Sequence, residues 1–205
     1  MLLLNHKKEK KMVRKGLIAL SAVLLIIGIC SSSWSETPAP KDERKHTSLG
    51  KYVTAIEAYE MWKADPTKVK IIDCRIPEEY AYVGHAPMSV NIPSMLWTGK
   101  WNAEKNEYIL ELNTEFESLV KQKAGLNDTI LIMCRSGHRS SASVNRLAKV
   151  GFTNVYNIVD GYEGDVVSDD DSYYKGKRAK NGWKNSLAPW TYQLDPALIY
   201  KHSEK

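Results

Sequence analysis

The stretch TILIMCRSGHRSSASVNRLAKVG, residues 129–151, joins an apolar run to a helix-forming run through a short basic turn. TILIM is apolar without interruption after its threonine, which is typical of a strand buried on both faces of a parallel sheet. SSASVNRLAKVG predicts a helix that follows the turn. Cys134 therefore stands at the carboxyl end of a strand, the edge at which α/β sheets present their reactive groups.

The segments around this stretch repeat the alternation. TAIEAYEMWK places Thr54 and Glu57 at the spacing of a capping box and predicts a helix, and VKIIDC predicts a second buried strand that ends at Cys74. The other predicted elements are a short helix at PEEYAY, a strand at SVNIP, a helix at EFESLVKQKAG and a strand at NVYNIV. Strands that alternate with helices predict an α/β fold, a doubly wound parallel sheet with helices on both faces.

Residues 1–35 have the three parts of an export signal: a basic opening, the apolar stretch GLIALSAVLLIIGI and the small residues of SSSWS. The sequence therefore predicts export, with a bacterial periplasm as the destination and no stable membrane insertion after cleavage. An uncleaved anchor is the weaker alternative, because the apolar stretch is shorter than the roughly 20 residues of a spanning helix. A lipoprotein site at Cys30 is weaker still, because Ile29 precedes it where a small residue is required.

Charge gives little information about partners once that segment is set aside. Six of the 29 Lys and Arg residues and one of the 24 Asp and Glu residues belong to it, which leaves 23 of each. A formally neutral chain gives no reason to expect nucleic acid as a partner.

Cys74 and Cys134 also remain, too few for a disulfide framework, so each requires its own explanation.

The domain limits follow from composition. Residues 36–48 are polar and contain proline, which predicts a flexible linker with nothing to bury. Residues 49–165 hold the predicted strands and helices, and residues 166–205 form an aromatic-rich extension that is expected to pack on the domain. The insertion LWTGKWNAEKNEYI is also rich in Trp and Tyr. Such residues suit either covering a core edge, the favoured interpretation, or contacting a ligand or partner.

The turn after the TILIM strand has the groups needed to hold an anionic sulfur atom. Cysteine reacts as the thiolate, and helix N-termini and nearby cations favour that form. Gly137 allows a turn that aims backbone N–H groups inward, the predicted helix adds the positive end of its dipole, and two arginines add permanent charge. The alternative is that Cys134 is a buried small hydrophobe that ends a strand, as many free cysteines are.

CRSGHRS, residues 134–140, resembles the active-site loop of the rhodanese (sulfurtransferase) family, whose form is CRxGxR followed by Ser or Thr. IIDCRIPEEYAYVGHAPMSVNIP, residues 71–93, resembles the upstream signature of that family: Asp-x-Arg after a strand, a Glu-Tyr pair, Gly-His and Ile-Pro. The likeness extends over about residues 54–165 and implies a rhodanese-like fold. It also implies that Cys134 takes the outer sulfur of a donor as a persulfide and passes it to a thiol or cyanide.

The resemblance assigns roles to further residues. Cys134 is the expected nucleophile, and the loop arginines are expected to position an anionic donor, thiosulfate or polysulfide. The expected substrate-binding loop consists of Arg135, Ser136, Gly137, His138, Arg139 and Ser140, with Asp73 and Arg75 in support. Asp73 and Arg75 are interpreted as a buried charge pair or loop brace, and His138 as pointing outward rather than acting as an acid or base. No cofactor or metal is expected, because no cluster has zinc-ligand spacing and no phosphate-binding glycine motif occurs.

Three departures from the family pattern are visible. Cys74 stands between Asp73 and Arg75, where an apolar β-branched residue is usual, and GHAPMSV replaces the commoner Gly-His-Ile-x-Gly-Ala. DGYEGD keeps Gly161 but not the second glycine of the usual pair, which leaves the pocket rim undetermined. Cys74 is expected to be inert and to point into the helix-covered core, because successive strand residues face opposite sides of a sheet. The alternative is that it serves as a resolving thiol for Cys134.

Two other functions compete with enzymatic sulfur transfer. Phosphatases and arsenate reductases of the same fold use Cys, five residues, then Arg, whereas Arg139 follows Cys134 after four, so the shorter loop better fits one sulfur atom. A rhodanese-like module could instead be a sulfur carrier or sulfide sensor with little turnover of its own. The rate at which acceptors remove sulfur from Cys134 separates an enzyme from such a carrier. The sequence leaves the oligomeric state open.

Overall fold

The computed structural model describes residues 37–201. The predicted signal peptide, residues 1–35, and the final residues 202–205 lie outside the described residues, so export stays a prediction. Within residues 37–201, no helix has the length and apolar character that a membrane crossing requires.

The strands form one parallel sheet and two small hairpins. In chain order they are β1 (Tyr52–Val53), β2 (Val69–Asp73), β3 (Val90–Asn91), β4 (Met95–Asn102), β5 (Glu107–Leu112), β6 (Thr129–Met133), β7 (Val155–Ile158), β8 (Asp165–Val166) and β9 (Arg178–Lys180). The sheet has the order β1-β7-β6-β2-β3, and its neighbouring strands are all parallel. β4 pairs with β5 and β8 with β9, both antiparallel. The predicted α/β fold is confirmed, and β6, the strand before Cys134, lies at the centre of the sheet.

Four α-helices accompany these strands in the described part of the chain. They are α1 (Ala55–Ala64), α2 (Pro77–Val83), α3 (Phe116–Lys123) and α4 (His138–Lys149). The capping box predicted for α1 is present, since Thr54 Oγ1 accepts from the Glu57 N–H at 3.4 Å and the Glu57 carboxylate accepts from the Thr54 N–H at 2.7 Å. The predicted helices and strands of the domain are thus confirmed in their order.

Alternate residues of β6 point to opposite faces of the sheet. Leu131 packs with Met61 of α1 in one buried cluster, whereas Ile132 packs with Val144 of α4 in a second cluster. Helices therefore cover both faces, as predicted, and the end of β6 emerges between two apolar layers.

The aromatic insertion forms the β4–β5 hairpin, which the sequence analysis did not predict. Trp97 pairs with Leu110 and Trp101 with Tyr108 across the hairpin, so its backbone hydrogen bonds are made without the central sheet. Trp97, Trp101 and Tyr108 remain 40%, 53% and 52% exposed. The favoured interpretation, that these aromatic residues cover a core edge, was therefore wrong.

The segment expected to be a flexible linker packs against the domain in its described part, residues 37–48. Lys45 is only 8% exposed. Its Nζ donates to the Val159 carbonyl at 2.9 Å, and its own carbonyl accepts from Asn157 Nδ2 at 3.1 Å. The expectation of nothing to bury was wrong, because hydrogen bonds attach this segment to the domain, and composition does not reveal them.

The C-terminal extension contacts the domain at several points. Trp183 is fully buried in the same cluster as α1. Thr191 exchanges two backbone hydrogen bonds with His85, and the Leu198 carbonyl accepts from the Asn91 N–H of the edge strand β3. The extension thereby protects one edge of the sheet from solvent.

Candidate active site

Cys134 is enclosed by the turn between β6 and α4, and the residue is 1% exposed. The Gly137 N–H donates a hydrogen bond to Sγ over 3.2 Å, and Ser140 Oγ lies 3.5 Å from Sγ. Gly137 is the N-cap of α4, a helix of 12 residues, so the positive end of the helix dipole lies beside the sulfur. A backbone donor and a positive helix end favour an anionic sulfur at this position.

The residues after β7 fix the backbone of this turn. The Tyr162 N–H donates to the Cys134 carbonyl at 2.8 Å, and the Glu163 N–H donates to the Arg135 carbonyl at 2.9 Å. The shape of the cysteine loop therefore depends on Tyr162 and Glu163, which come later in the chain, after α4 and β7.

Two glycines permit this close packing. Gly137 has φ 94°, and a Cβ at that position would lie 2.2 Å from the Val159 carbonyl oxygen. Gly161 has φ 64°, and a Cβ there would lie 2.6 Å from the Cys134 carbonyl oxygen. Both positions exclude a side chain on conformational and steric grounds. Gly161 is the glycine that DGYEGD retains. The loss of the second glycine of the family pattern therefore leaves the close contact between Gly161 and the Cys134 carbonyl unchanged.

Tyr162 occupies the position of the missing second glycine and is fully buried. Its ring centroid lies 4.0 Å from the Arg75 guanidinium carbon, a cation–π contact. Arg75 also pairs with the Asp73 carboxylate at 2.6 Å and donates to the Gly84 carbonyl at 2.8 Å. Asp73 and Arg75 thus form the buried pair that the sequence predicted, and through Tyr162 this pair supports the cysteine loop.

Arg139 is bound by a carboxylate instead of being open to a donor. Its Nη1 and Nη2 donate to the two carboxylate oxygens of Glu79, in the first turn of α2, over 2.7 and 2.6 Å. Burial disfavours both charges, but the pairing outweighs burial, lowering the pKa of Glu79 and raising the pKa of Arg139. The placement of Arg139 is that of a loop brace and differs from the expected role in positioning the donor. Glu79 belongs to the Glu-Tyr pair of the upstream signature, yet the sequence analysis gave it no role.

Arg135 is exposed and, among the residues that the structure describes, forms no ion pair. Together with Arg139 it lines a cavity of about 520 Å³, which also borders α2 and the β4–β5 hairpin. The hairpin contributes Trp97 and Tyr108 to the wall of this cavity. The insertion expected at a core edge therefore lies beside the cysteine loop.

His138 begins α4 and faces the N-terminal segment. Its Nε2 lies 2.8 Å from Asp42 Oδ2, and its Nδ1 lies 3.4 Å from Ser136 Oγ. Hydrogen bonds from Arg44 and His138 lower the pKa of Asp42. The His138 side chain is 39% exposed, which agrees with the predicted outward direction. Asp42 gave no signal in the sequence, because it is one charged residue in a polar segment.

Ser140 and Asn157 form a buried polar link under the loop. Ser140 Oγ donates to Asn157 Oδ1 at 2.7 Å, and Asn157 Nδ2 donates to the Gly137 carbonyl at 3.1 Å. The sequence analysis missed Asn157, although an asparagine within the apolar strand NVYNIV is a recognisable signal, because buried amides require partners.

A second cavity, of about 540 Å³, borders Ser136 and His138 and is also lined by Asp42 and Lys45 of the N-terminal segment. Polar groups of the loop therefore meet two separate cavities.

Across residues 37–201, no group of three or more His, Cys, Asp or Glu side chains is placed to hold a metal ion.

Cys74 follows the strand next to β6. β2 and β6 are parallel with Asp73 opposite Met133, so Cys74 and Cys134 follow paired positions. Both thiols are free. Cys74 is fully buried in an apolar cluster that includes Phe116, and burial raises the pKa of its thiol. Cys74 thus lies in the helix-covered core, as predicted.

The fold and the site together define an α/β protein. The central strand of its parallel sheet is followed by a cysteine in a tight turn, and the turn leads into the N-terminus of a helix. The family model described as rhodanese-like domain matches residues 54–166. The chain therefore belongs to the rhodanese-like domain family, which includes sulfurtransferases.

Individual relatives agree with this assignment. Thiosulfate sulfurtransferase 16, a chloroplastic protein of Arabidopsis thaliana, is 33% identical over 93 residues, which are 45% of this chain and 70% of that protein. Uncharacterized protein RP600 of Rickettsia prowazekii is 32% identical over 129 residues, 60% of this chain and 82% of that protein. The crystal structure of Rv0390 from M. tuberculosis matches with a TM-score of 0.54 and 23% identity, covering 69% of this chain and 96% of that one. The last likeness shows the fold alone.

Proposed function

We propose that this protein is a sulfurtransferase that moves a sulfane sulfur from thiosulfate or polysulfide to a thiol or cyanide through a persulfide on Cys134. The observation that carries the proposal is the hydrogen bond from the Gly137 N–H to Sγ at the start of α4. An anionic sulfur is stabilised by such a donor and by the positive helix end, whereas a buried neutral thiol needs neither. The likeness to a protein named thiosulfate sulfurtransferase supports the same class of reaction.

The proposed reaction consists of two displacements. The Cys134 thiolate attacks the outer sulfur of thiosulfate, a new S–S bond forms, the old S–S bond breaks, and sulfite leaves with its electron pair. Cyanide or a thiolate then attacks the outer sulfur of the persulfide, and Cys134 regains the electron pair as a thiolate. The Gly137 N–H is directed at negative sulfur in both steps, so the loop requires no rearrangement between them.

Arg135 is the cation proposed to bind the donor. Arg139 is occupied by Glu79, whereas Arg135 is exposed next to Cys134 and has no ion-pair partner within residues 37–201. A guanidinium offers forked donors that suit the sulfonate oxygens of thiosulfate. The proposal therefore gives donor binding to Arg135 and loop support to Arg139.

Intact-protein mass spectrometry tests the persulfide. Thiosulfate should add the mass of one sulfur atom, and cyanide should remove it with formation of thiocyanate. Cys134→Ser should gain no mass, whereas Cys74→Val, the matched control, should behave as the wild type. Failure of the wild type to gain sulfur, or a gain in Cys134→Ser, would contradict the proposal.

A sulfur carrier or sulfide sensor with little turnover is the second candidate, and the 1% exposure of Cys134 favours it. An enclosed persulfide exchanges slowly with small acceptors in solution. The rates decide between the two candidates. Removal of sulfur by cyanide or thiols as fast as loading indicates an enzyme, and a persulfide that persists in their presence indicates a carrier.

A further inference from the structure

The C-terminal extension bonds to the same residues that hold the cysteine loop. These residues are Asp160–Glu163, the linking segment, which follows β7. On one side of the linking segment, the Tyr162 N–H donates to the Cys134 carbonyl and the Glu163 N–H to the Arg135 carbonyl. On its other side, it accepts hydrogen bonds from the extension. They run from the N–H groups of Gly182, Trp183 and Lys184 to Asp160 Oδ2, the Gly161 carbonyl and the Tyr162 carbonyl, at 2.9, 2.9 and 2.8 Å, and from Asn185 Nδ2 to the Glu163 carbonyl at 2.9 Å.

The cysteine loop, the linking segment and the extension are therefore three stretches of backbone joined in series. The family model ends at residue 166, so the outermost stretch, residues 182–185, lies beyond the part of the chain that the model matches. A shift of the linking segment would displace the loop carbonyls to which it is bonded. The turn that directs the Gly137 N–H at Sγ would move with them.

Trp183 anchors the extension. Its side chain is fully buried in the cluster shared with α1, its indole N–H donates to the Pro189 carbonyl at 2.8 Å, and its ring meets Tyr59 edge to face with centroids 5.9 Å apart. Burial of so large a ring, with its one polar group bonded, stabilises the docked position strongly. The preceding Gly182 has φ 79°, and a Cβ there would lie 2.3 Å from the Gly164 nitrogen, so the extension approaches more closely than a side chain would allow.

The extension also accompanies the tyrosine that stands where the family pattern has its second glycine. Tyr162 is fully buried, and its ring lies against the Arg75 guanidinium. The Tyr162 hydroxyl and the Trp190 ring both approach Gly84, at 2.9 and 3.1 Å from the point that a Cβ there would occupy. Trp190 of the extension therefore lies close to the hydroxyl end of Tyr162. The change from glycine to tyrosine and the presence of the extension fit together as one feature of this chain.

We propose that residues 182–185 form a positioning segment for Cys134, with Trp183 as its anchor. The inference rests on the proposed sulfur transfer and concerns how its site is held. While the linking segment is fixed, the Cys134 carbonyl is fixed, and the Gly137 N–H stays directed at the negative sulfur. Release of the linking segment removes that donor from Sγ for part of the time, which slows persulfide formation. Arg135 should bind thiosulfate almost as before, because its exposed side chain can compensate for a small movement of its backbone.

Single-turnover loading of Cys134 by thiosulfate tests this inference on the full chain. Trp183→Ala should lower the maximal loading rate about tenfold and change the half-saturating thiosulfate concentration by less than about twofold. Trp183→Phe, which keeps a large ring in the cluster, should recover most of the rate. Met61→Ala is the matched control, because Met61 lies in the same buried cluster and, within residues 37–201, forms no hydrogen bond with the linking segment. It should lose stability and keep the loading rate.

Asn185→Ala provides an answer even where Trp183→Ala does not fold. Asn185 is exposed, and its Nδ2 donates to the Glu163 carbonyl and to the Asn181 carbonyl. Its truncation leaves the buried cluster intact and loosens the contact between the extension and the linking segment. The maximal loading rate should fall about threefold.

Amide hydrogen exchange reports the same contact without any sulfur chemistry. The Tyr162 N–H bonds to the loop, whereas the Cys74 N–H bonds to the Met133 carbonyl beside the central strand and reports opening of the whole domain. The ratio of the Tyr162 exchange rate to the Cys74 exchange rate should rise at least about tenfold in Trp183→Ala. It should stay constant in Met61→Ala.

The outcomes separate this inference from the proposed function. Loading at the wild-type rate in Trp183→Ala and Asn185→Ala would overturn the positioning role and leave sulfur transfer standing. A loss of rate that Met61→Ala shares would do the same, since lost stability would then explain it. An unchanged exchange ratio in Trp183→Ala would show that the linking segment does not carry the effect. A wild type that loads no sulfur would instead overturn the proposed function, while the exchange ratio would still decide whether the extension holds the loop.

Discussion

The chain contains the pair Cys-Arg twice, each time between a strand of the parallel sheet and a helix. Cys74 and Arg75 lie between β2 and α2, and Cys134 and Arg135 lie between β6 and α4. Both cysteines are buried, at 0% and 1% exposure, and their strands are hydrogen-bonded neighbours. Burial and position in the sheet are therefore nearly the same for the two thiols.

The two turns differ in where they direct their polar groups. In the first, Arg75 is buried against Asp73, and α2 begins with Pro77, which has no N–H to donate. In the second, Gly137 adopts φ 94° and directs its N–H at Sγ, while the arginine after the cysteine is exposed. The comparison shows that the direction of N–H groups and guanidiniums, rather than burial, distinguishes a candidate nucleophile from a structural thiol.

Removal of the second cysteine is the strongest test of this comparison. Cys134→Ser should lower thiosulfate-to-cyanide transfer by at least about 10³-fold, because a hydroxyl forms no persulfide. The serine oxygen can still accept from the Gly137 N–H, so urea unfolding should show a loss of about 1 kcal/mol or less. Cyanolysis near the wild-type rate in this variant would show that Cys134 is not the nucleophile.

Loss of the brace on Arg139 should have the next largest effect. Glu79→Gln leaves a largely buried guanidinium without its carboxylate, which should cost about 1–3 kcal/mol of unfolding free energy and slow transfer from every donor alike. Glu117→Gln is the matched control, because Glu117 makes a similar two-point pair with Arg146 and, within residues 37–201, forms no hydrogen bond or ion pair with the cysteine loop. It should lose stability and keep activity. A loss in Glu79→Gln that is confined to thiosulfate would instead give Arg139 a part in donor binding.

The same pair predicts a pH dependence of stability. Burial alone would raise the pKa of Glu79, but pairing with Arg139 lowers it below the ordinary value of 4.5. A carboxylate with a depressed folded-state pKa stabilises the protein above the unfolded-state pKa and ceases to do so as the pH falls through the folded-state value. The difference in unfolding free energy between the wild type and Glu79→Gln should be constant near neutral pH and shrink below about pH 4.5. A difference that grows on acidification would refute the pairing.

Arg135 allows a finer test of the second turn. Arg135→Ala should raise the KM for thiosulfate, a dianion, by about tenfold and the KM for a monoanionic thiosulfonate by less. Arg135→Lys keeps the charge without the fork and should recover part of the loss. Since Arg135 is exposed, the effect should diminish at high ionic strength. Equal changes for both donors at every salt concentration would mean that Arg135 acts on the loop shape alone.

The second turn was predictable from the sequence because its signals are contiguous. The apolar run before Cys134, the glycine at position 137 and the helix-forming run after it are adjacent in the chain, and the structure places them as β6, the N-cap and α4. The pair of Asp73 and Arg75 was predictable for the same reason, since the two residues are separated by one position. Family resemblance then added the sulfur chemistry, which spacing alone does not give.

The residues that brace the cysteine loop and line its surroundings were not predictable, because their partners are distant in the chain. Glu79 lies 60 residues before Arg139, and Asp42 lies 96 residues before His138. Charged residues in polar stretches are ordinarily expected in solvent, so neither signalled its contact. The prediction for the aromatic insertion failed for a different reason. The large amphipathic surface of a residue such as Trp97 suits either the edge of a core or the lining of a ligand site, and the sequence does not distinguish the two.

Cys74→Val should have the smallest effect, and it tests the structural side of the comparison. Cys74 lies in the apolar cluster with Ile72 and Phe116, where valine is close to it in size, so the unfolding free energy should change by about 1 kcal/mol or less. Both thiols are free in the structure. The Gly137 N–H and the helix N-terminus favour the thiolate at Cys134, whereas burial raises the pKa of Cys74, so peptide mapping after thiol labelling of the native wild type should find label at Cys134 and not at Cys74, with or without prior reduction. If neither thiol is labelled until the protein is reduced, while Cys74→Val labels Cys134 without reduction, the two cysteines form a bridge, and the first turn takes part in the chemistry of the second.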